Sequence, residues 1–229
     1  MEQPANKSPE WLDLKTRTTS AFVLLILTVI CVSLGGVAFS AIVLYAAITM
    51  TKEWENLVED QAPIFRIAGY AYVILPCACI LWLRSIDIAS DNNLGFKIVF
   101  ALIAIISATD IGAYFTGRKF GHTKLWPSVS PNKTWEGLAG GVLAATFTGM
   151  LFAPYINAPK IFITALLVSP LIALVAQTGD LFKSWIKRKA GVKDSGTLIP
   201  GHGGLLDRLD GYMFATPILA AIVYFALRS

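Results

Sequence analysis

Residues 161–210 read IFITALLVSPLIALVAQTGDLFKSWIKRKAGVKDSGTLIPGHGGLLDRLD. The stretch 161–179 carries no charge, and its length matches the ~20 residues a helix needs to cross a bilayer. From Asp180 onward the character reverses. Between Ser184 and Asp210 lie five basic residues, three carboxylates and a Gly-His-Gly-Gly turn. Lys187, Arg188, Lys189, Lys193 and Arg208 can neutralise phosphate oxygens, and Asp194, Asp207 and Asp210 are hard oxygen donors of the kind Mg²⁺ prefers. A membrane span running straight into such a segment implies a phosphate and metal site at a bilayer surface.

The rest of the chain supports that setting. Apolar residues make up 55% of the sequence and charged residues 15%, and the mean hydropathy is +0.62, far from the composition of a soluble domain. Hydropathy predicts seven spans, at 20–34, 37–50 (extending to Trp54), 67–83, 98–116, 137–154, 161–179 and 211–227. The expected fold is an all-α, polytopic integral membrane protein with a polar site on its cytoplasmic face. No linker, repeat or low-complexity tract divides it, so residues 1–229 read as one helical domain, with the site region at 107–210.

With the N-terminus inside, segments 1–19, 51–66, 117–134 and 181–210 carry 15 of the 19 Lys and Arg residues, which sets the orientation under the positive-inside rule. Both charged loops then face the cytoplasm. A cleaved signal peptide is disfavoured because no A-x-A-like site follows the first span. Cys31, Cys77 and Cys79 sit in apolar spans without metal-ligand spacing, implying neither zinc nor disulfides. There is no nucleic-acid motif, and the basic loops suit anionic headgroups or a polyphosphate.

Several positions stand out on chemical grounds. Asp180, Lys183, Ser184, Lys187 and Arg188 follow i, i+3, i+4, i+7, i+8 spacing and share one helical face. Asp110 lies seven residues before Gly117, about 10 Å inside the membrane, where an acid needs a partner. The glycine-rich segment 191–204 allows close backbone approach to phosphate. Asp207 and Asp210 are placed together on the first turn of the last helix, as metal ligands or as helix caps. Ser130 and Lys133 can donate to a triphosphate near a helix start, and Thr134 either joins them or caps that helix.

Two features stay open at this level. Gly137, Gly141, Ala145 and Gly149 line one helix face, either for packing inside the molecule or as the seam of a homodimer. Tyr114, Trp126 and Trp135 serve as interfacial anchors or as platforms for a base. Two tempting motifs fail. GAYFTGRK at 112–119 lacks the Lys-Ser/Thr of a P-loop and follows a span, and Asp210-Gly211 lacks the downstream arginine of CDP-alcohol phosphatidyltransferases.

Taken together, Ser184, Lys187-Arg188, Lys193-Asp194, His202-Gly203-Gly204 and Asp207-Arg208-Leu209-Asp210 resemble, at the same spacing, the signature of the phosphatidate cytidylyltransferase (CDP-diacylglycerol synthase) family. The resemblance extends upstream through Asp110 to Tyr114, Gly117-Arg118 and Ser130 to Gly137. Asn132 departs from it, standing where that family usually has a lysine.

The resemblance implies transfer of CMP from CTP to phosphatidate, giving CDP-diacylglycerol and pyrophosphate at the inner membrane of a bacterial cell. It implies Mg²⁺, alone or with a second cation, at Asp180, Asp207 and Asp210. Lys187, Arg208 and Asp207 would act in the transfer. Asp110, Ser130, Lys133, Thr134, Ser184, Arg188, Lys193, Asp194, His202, Gly203 and Gly204 would hold the substrates. A CTP-dependent lipid or polyprenol kinase and an anion or Mg²⁺ transporter are the rival readings.

Overall fold

A computed structural model describes residues 23, 26–59, 61–88, 91, 93–156, 161–192, 194–196 and 203–228. Its helices are α1 (Gly36–Leu57), α2 (Pro63–Arg84), α3 (Leu94–Phe120), α4 (Trp135–Phe152), α5 (Ile161–Lys189) and α6 (Asp210–Ala226). A two-stranded antiparallel hairpin, β1 (Lys124–Trp126) and β2 (Ser130–Thr134), joins α3 to α4. Residues 26–34 are also helical and meet α1 at Gly35, whose positive φ of 62° breaks the run.

Five of these helices are long and apolar enough to cross a membrane, and α6 is a shorter apolar helix of 17 residues. At 1.5 Å per residue, the 22 residues of α1 or α2 span about 33 Å, enough for a ~30 Å hydrocarbon layer. Of the seven predicted spans, five are full-length and α6 is shorter, while the first, 20–34, is helical over its described residues 26–34. Large apolar side chains such as Leu143, Phe147, Leu151, Ile111, Phe115 and Leu167 point outward, as a lipid-facing belt requires.

The chain runs up and down, so the start of α2, the end of α3, the hairpin, the end of α5 and the start of α6 share one end with the end of α1. Three buried clusters hold the bundle. At the far end Phe39, Leu83, Leu94 and Ile98 meet; at mid-depth Leu102, Ile105, Ala145, Ile172, Ala173 and Ala215 do; and at the polar end Met50, Trp54, Val73, Ile186, Leu206 and Met213 do.

The small-residue face of α4 is spent inside the molecule. Gly137, Gly141, Ala145 and Gly149 are all buried. A Cβ on Gly141 would lie 2.8 Å from the Thr109 carbonyl, and one on Gly137 would lie 2.9 Å from that of Ala113. This tight approach of α3 to α4 is the packing reading, so the stripe supplies no seam for a second copy.

Candidate active site

Two polar networks occupy the shared end, and α5 contributes to both. The first is built around the hairpin. Thr134 closes β2 and caps α4, its hydroxyl accepting from the Gly137 amide at 3.1 Å, and Glu136 accepts from the Thr123 amide at 3.1 Å. Thr134 was expected to bind substrate or cap the helix, and the cap is what its hydroxyl does here. Fixed at both ends, β2 directs Lys133 inward.

There the Lys133 ammonium pairs with Asp180 at 2.5 Å and donates to Gln177 Oε1 at 2.8 Å. Gln177 Nε2 in turn donates to Asp110 at 3.1 Å, and Ser184 reaches Asp180 at 3.4 Å. Lys133, Asp180, Gln177 and Asp110 line a cavity of about 230 Å³ that also touches Tyr114, Asn132 and Thr134. Asp110 thus has the partner its depth demands. Gln177 was missed in the sequence, although its position three residues before Asp180 puts it on the same helix face.

The second network centres on Asp207. Lys183 and Lys187 donate to its Oδ1 at 2.6 and 2.8 Å. Its Oδ2 accepts from the Ser195 amide at 2.9 Å, the Ser195 hydroxyl at 2.9 Å and the Gly204 amide at 3.1 Å. Burial disfavours the charged form, but the two ammonium groups outweigh it and hold the carboxyl well below the usual carboxylate range. Lys183 has no exposed surface at all. It was noted as a member of the α5 face, yet its service to Asp207 could not be read from spacing.

This geometry corrects the expectation that Asp207 and Asp210 share the first turn of the last helix. Helix α6 begins at Asp210, and Asp207 lies in the preceding turn, its amide bonded to the Gly204 carbonyl. Neither is the helix cap, a position held by Leu209 without a side-chain bond. Asp210 faces the other acids instead, interacting electrostatically with Asp180, Asp110 and Lys183, while its carboxylate accepts from the Gly211 amide at 2.7 Å. Among the described residues no three acidic, histidine or cysteine side chains converge as one metal-ligand set. Asp180 is paired with Lys133, and Asp207 with Lys183 and Lys187.

The remaining expected residues are placed as follows. Arg188 reaches the Val129 carbonyl at 3.4 Å, tying α5 to the hairpin turn. Ser130 pairs with Trp126 in the hairpin, and Arg208 is exposed in the turn before α6. Asp194 is exposed beside Gly203, whose φ of 78° is a conformation only glycine adopts readily. Gly204 has no room for a Cβ between Ser195 and Glu53. Lys193 and His202 lie outside the described residues. Tyr114, Trp126 and Trp135 are exposed, and Arg118 bonds the Tyr114 hydroxyl at 2.8 Å.

Comparison with known proteins gives the family. Residues 61–226 match the cytidylyltransferase family. The chain is 35% identical to a protein of Brucella suis biovar 1 (strain 1330) named phosphatidate cytidylyltransferase, over 90% of this chain and 92% of that protein. It is 34% identical to one of the same name from Rickettsia felis, over 89% of each chain. A third, from Bacillus subtilis (strain 168), is 42% identical over 58% of this chain and 50% of that protein.

Proposed function

The chain belongs to the cytidylyltransferase family, and from that premise we propose that it is a phosphatidate cytidylyltransferase, condensing CTP with phosphatidate to give CDP-diacylglycerol and pyrophosphate. The observation that carries this reading is the Lys133–Asp180–Gln177–Asp110 network. It lines a polar cavity at one end of the apolar helices, and on our reading a lipid phosphate enters there while its acyl chains stay in the bilayer.

The reaction forms a bond between a phosphatidate oxygen and the α-phosphorus of CTP and breaks the bond to pyrophosphate. The lipid phosphate is already ionised near neutrality, so no strong base is required. The protein's work is to hold two polyanions in line and neutralise the leaving group. Lys133, Asn132 and Ser130 meet phosphate at the hairpin. Lys187 and Arg188 on α5 and Arg208 in the turn before α6 supply cationic groups, with Lys193, Asp194, His202, Gly203 and Gly204 as the remaining substrate contacts. Asp207 orients Lys187 and, through Lys183, the base of the loop.

Asp180 and Asp210 are hard oxygen donors within electrostatic reach of each other, chemistry that fits Mg²⁺, whose role when bound is to neutralise phosphate charge. A second cation at Asp207 would have to displace an ammonium group. We place the site at the cytoplasmic face of the inner membrane, since the polar end carries the Lys- and Arg-rich segments and the relatives are bacterial.

The test is product analysis with purified protein, CTP, Mg²⁺ and phosphatidate. Pyrophosphate and CDP-diacylglycerol in equal amounts, abolished by Asp180→Asn, are expected. CDP with a phosphorylated lipid would instead identify a kinase, and transport of solute without turnover would identify a carrier.

A further inference from the structure

We infer that Glu53, on α1, is a positioning residue for the transfer, holding the loop that carries Asp207 and Arg208 in its working geometry. This rests on the cytidylyltransferase reading. Glu53 lies before the segment that matches the family, which begins at residue 61, and the sequence gives it no motif. It is nonetheless one of the few buried charged residues, with 6% of its surface exposed.

Its partners lie about 150 positions away in the chain. Oε1 accepts from the Leu205 amide at 2.8 Å, and Oε2 accepts from the Leu206 amide at 2.8 Å. The Ser195 hydroxyl stands 3.4 Å from Oε2 and 2.9 Å from Asp207 Oδ2, so one serine adjoins both carboxylates. Glu53 therefore binds the amides of Leu205 and Leu206 while Asp207 binds those of Ser195 and Gly204. Between them the two acids gather both strands at the neck of this loop.

Close packing supports the same role. A Cβ on Gly196 would lie 2.9 Å from Glu53 Oε1, and one on Gly204 would lie 2.6 Å from Oε2. The glycines admit the carboxylate against the backbone. A buried acid with no lysine or arginine partner among the described residues is expensive unless its lone pairs are filled, and here backbone amides fill them. No substrate group needs to touch Glu53. Its effect passes through the turn that leads from Leu206 into Asp207.

Glu53→Gln preserves the shape but presents an NH₂ group to one of the two backbone amides, whichever way the side-chain amide is flipped. A shift of the loop by about 1 Å is expected to lower kcat by about 100-fold. KM for phosphatidate should change less than about threefold, because the Lys133–Asp180–Gln177 network, where the lipid phosphate enters, is untouched. Amide exchange at Leu205 and Leu206 should quicken, while the thermal midpoint in micelles moves by only a few degrees.

Gly196→Ala, which crowds Glu53 without altering its charge, should give a smaller fall in kcat, about 10-fold, with the same unchanged KM. It also serves if Glu53→Gln does not fold. Wild-type kcat in a folded Glu53→Gln, or in Gly196→Ala where the first does not fold, would overturn the inference while leaving the reaction intact. So would an activity loss that tracks only the unfolded fraction. A wild-type protein that makes no CDP-diacylglycerol would overturn the reading of function. Even then, unchanged Leu205 and Leu206 exchange in Glu53→Gln would separately refute the clamp.

Discussion

Replacing Lys183 with methionine tests how the Asp207 network is held together. The side chain is fully buried, with its ammonium 2.6 Å from Asp207 Oδ1 and 3.3 Å from the Ser195 hydroxyl. Methionine keeps most of the stem's volume and removes the charge. Removing one partner of a buried ion pair typically costs ~3–5 kcal/mol because the other charge stays behind. Here Asp207 retains Lys187 at 2.8 Å and three donors on Oδ2, so the expected loss falls at or below the low end, about 2–3 kcal/mol.

For a chain of this size, that loss lowers the thermal midpoint by roughly 5–10 °C. Lys187→Met should cost less, about 1 kcal/mol, since Lys187 is 17% exposed and its loss leaves the buried pair intact. The double variant Lys183→Met/Asp207→Asn should recover part of the loss, because neither charge is then stranded. Thermal unfolding in a single detergent, followed by tryptophan fluorescence, reads all three variants. The reasoning fails if Lys183→Met is as stable as wild type, or if Lys187→Met is the more damaging change.

Two further outcomes follow from the same geometry. The lowered pKa of Asp207 means its stabilisation is complete above the unfolded carboxylate range and is lost as pH falls below about 4 toward the folded value. The gap in thermal midpoint between wild type and Asp207→Asn should therefore be constant from pH 7 to 5 and narrow below pH 4; a gap that widens on acidification would contradict it. In α4, Gly141→Val places side-chain atoms against the Thr109 carbonyl and should cost about 1–3 kcal/mol, whereas Leu143→Val, at a position 71% exposed toward lipid, should leave the midpoint unchanged.

What could be read from the sequence divides along the range of the interactions. Helices α1 to α6 were legible because each is an apolar run of near-membrane length, a local property. The α5 face from Asp180 to Arg188 was legible because helical spacing is also local. The hairpin was not. Its strands hold Pro131, Asn132 and two lysines without alternation, and they are fixed by contacts to α4 such as that of Thr123 with Glu136. Glu53 was not legible either, standing among Lys52 and Glu55 like any polar residue leaving a span, since its partners are remote in the chain. The pairing of Asp207 with Lys183 and Lys187 was not legible either, since residue type and spacing do not reveal which side chains reach a carboxylate.

Helix α5 explains why both networks belong to one site. Gln177, Asp180 and Ser184 serve the hairpin cavity, while Lys183 and Lys187 serve Asp207. From Asp180 to Lys187 is seven residues, a rise of about 10 Å along a continuous helix. The hairpin and the loop are thus held at a set separation by a rigid element, each gripped through charged hydrogen bonds and the loop also through Leu206 in the apolar cluster with Ile186. Two polyanions docked one on each network would meet with their relative position already fixed, which is where a reaction that needs little covalent assistance gains most of its rate. On this arrangement, disturbing Glu53 displaces one end of the ruler and disturbing Thr134 displaces the other.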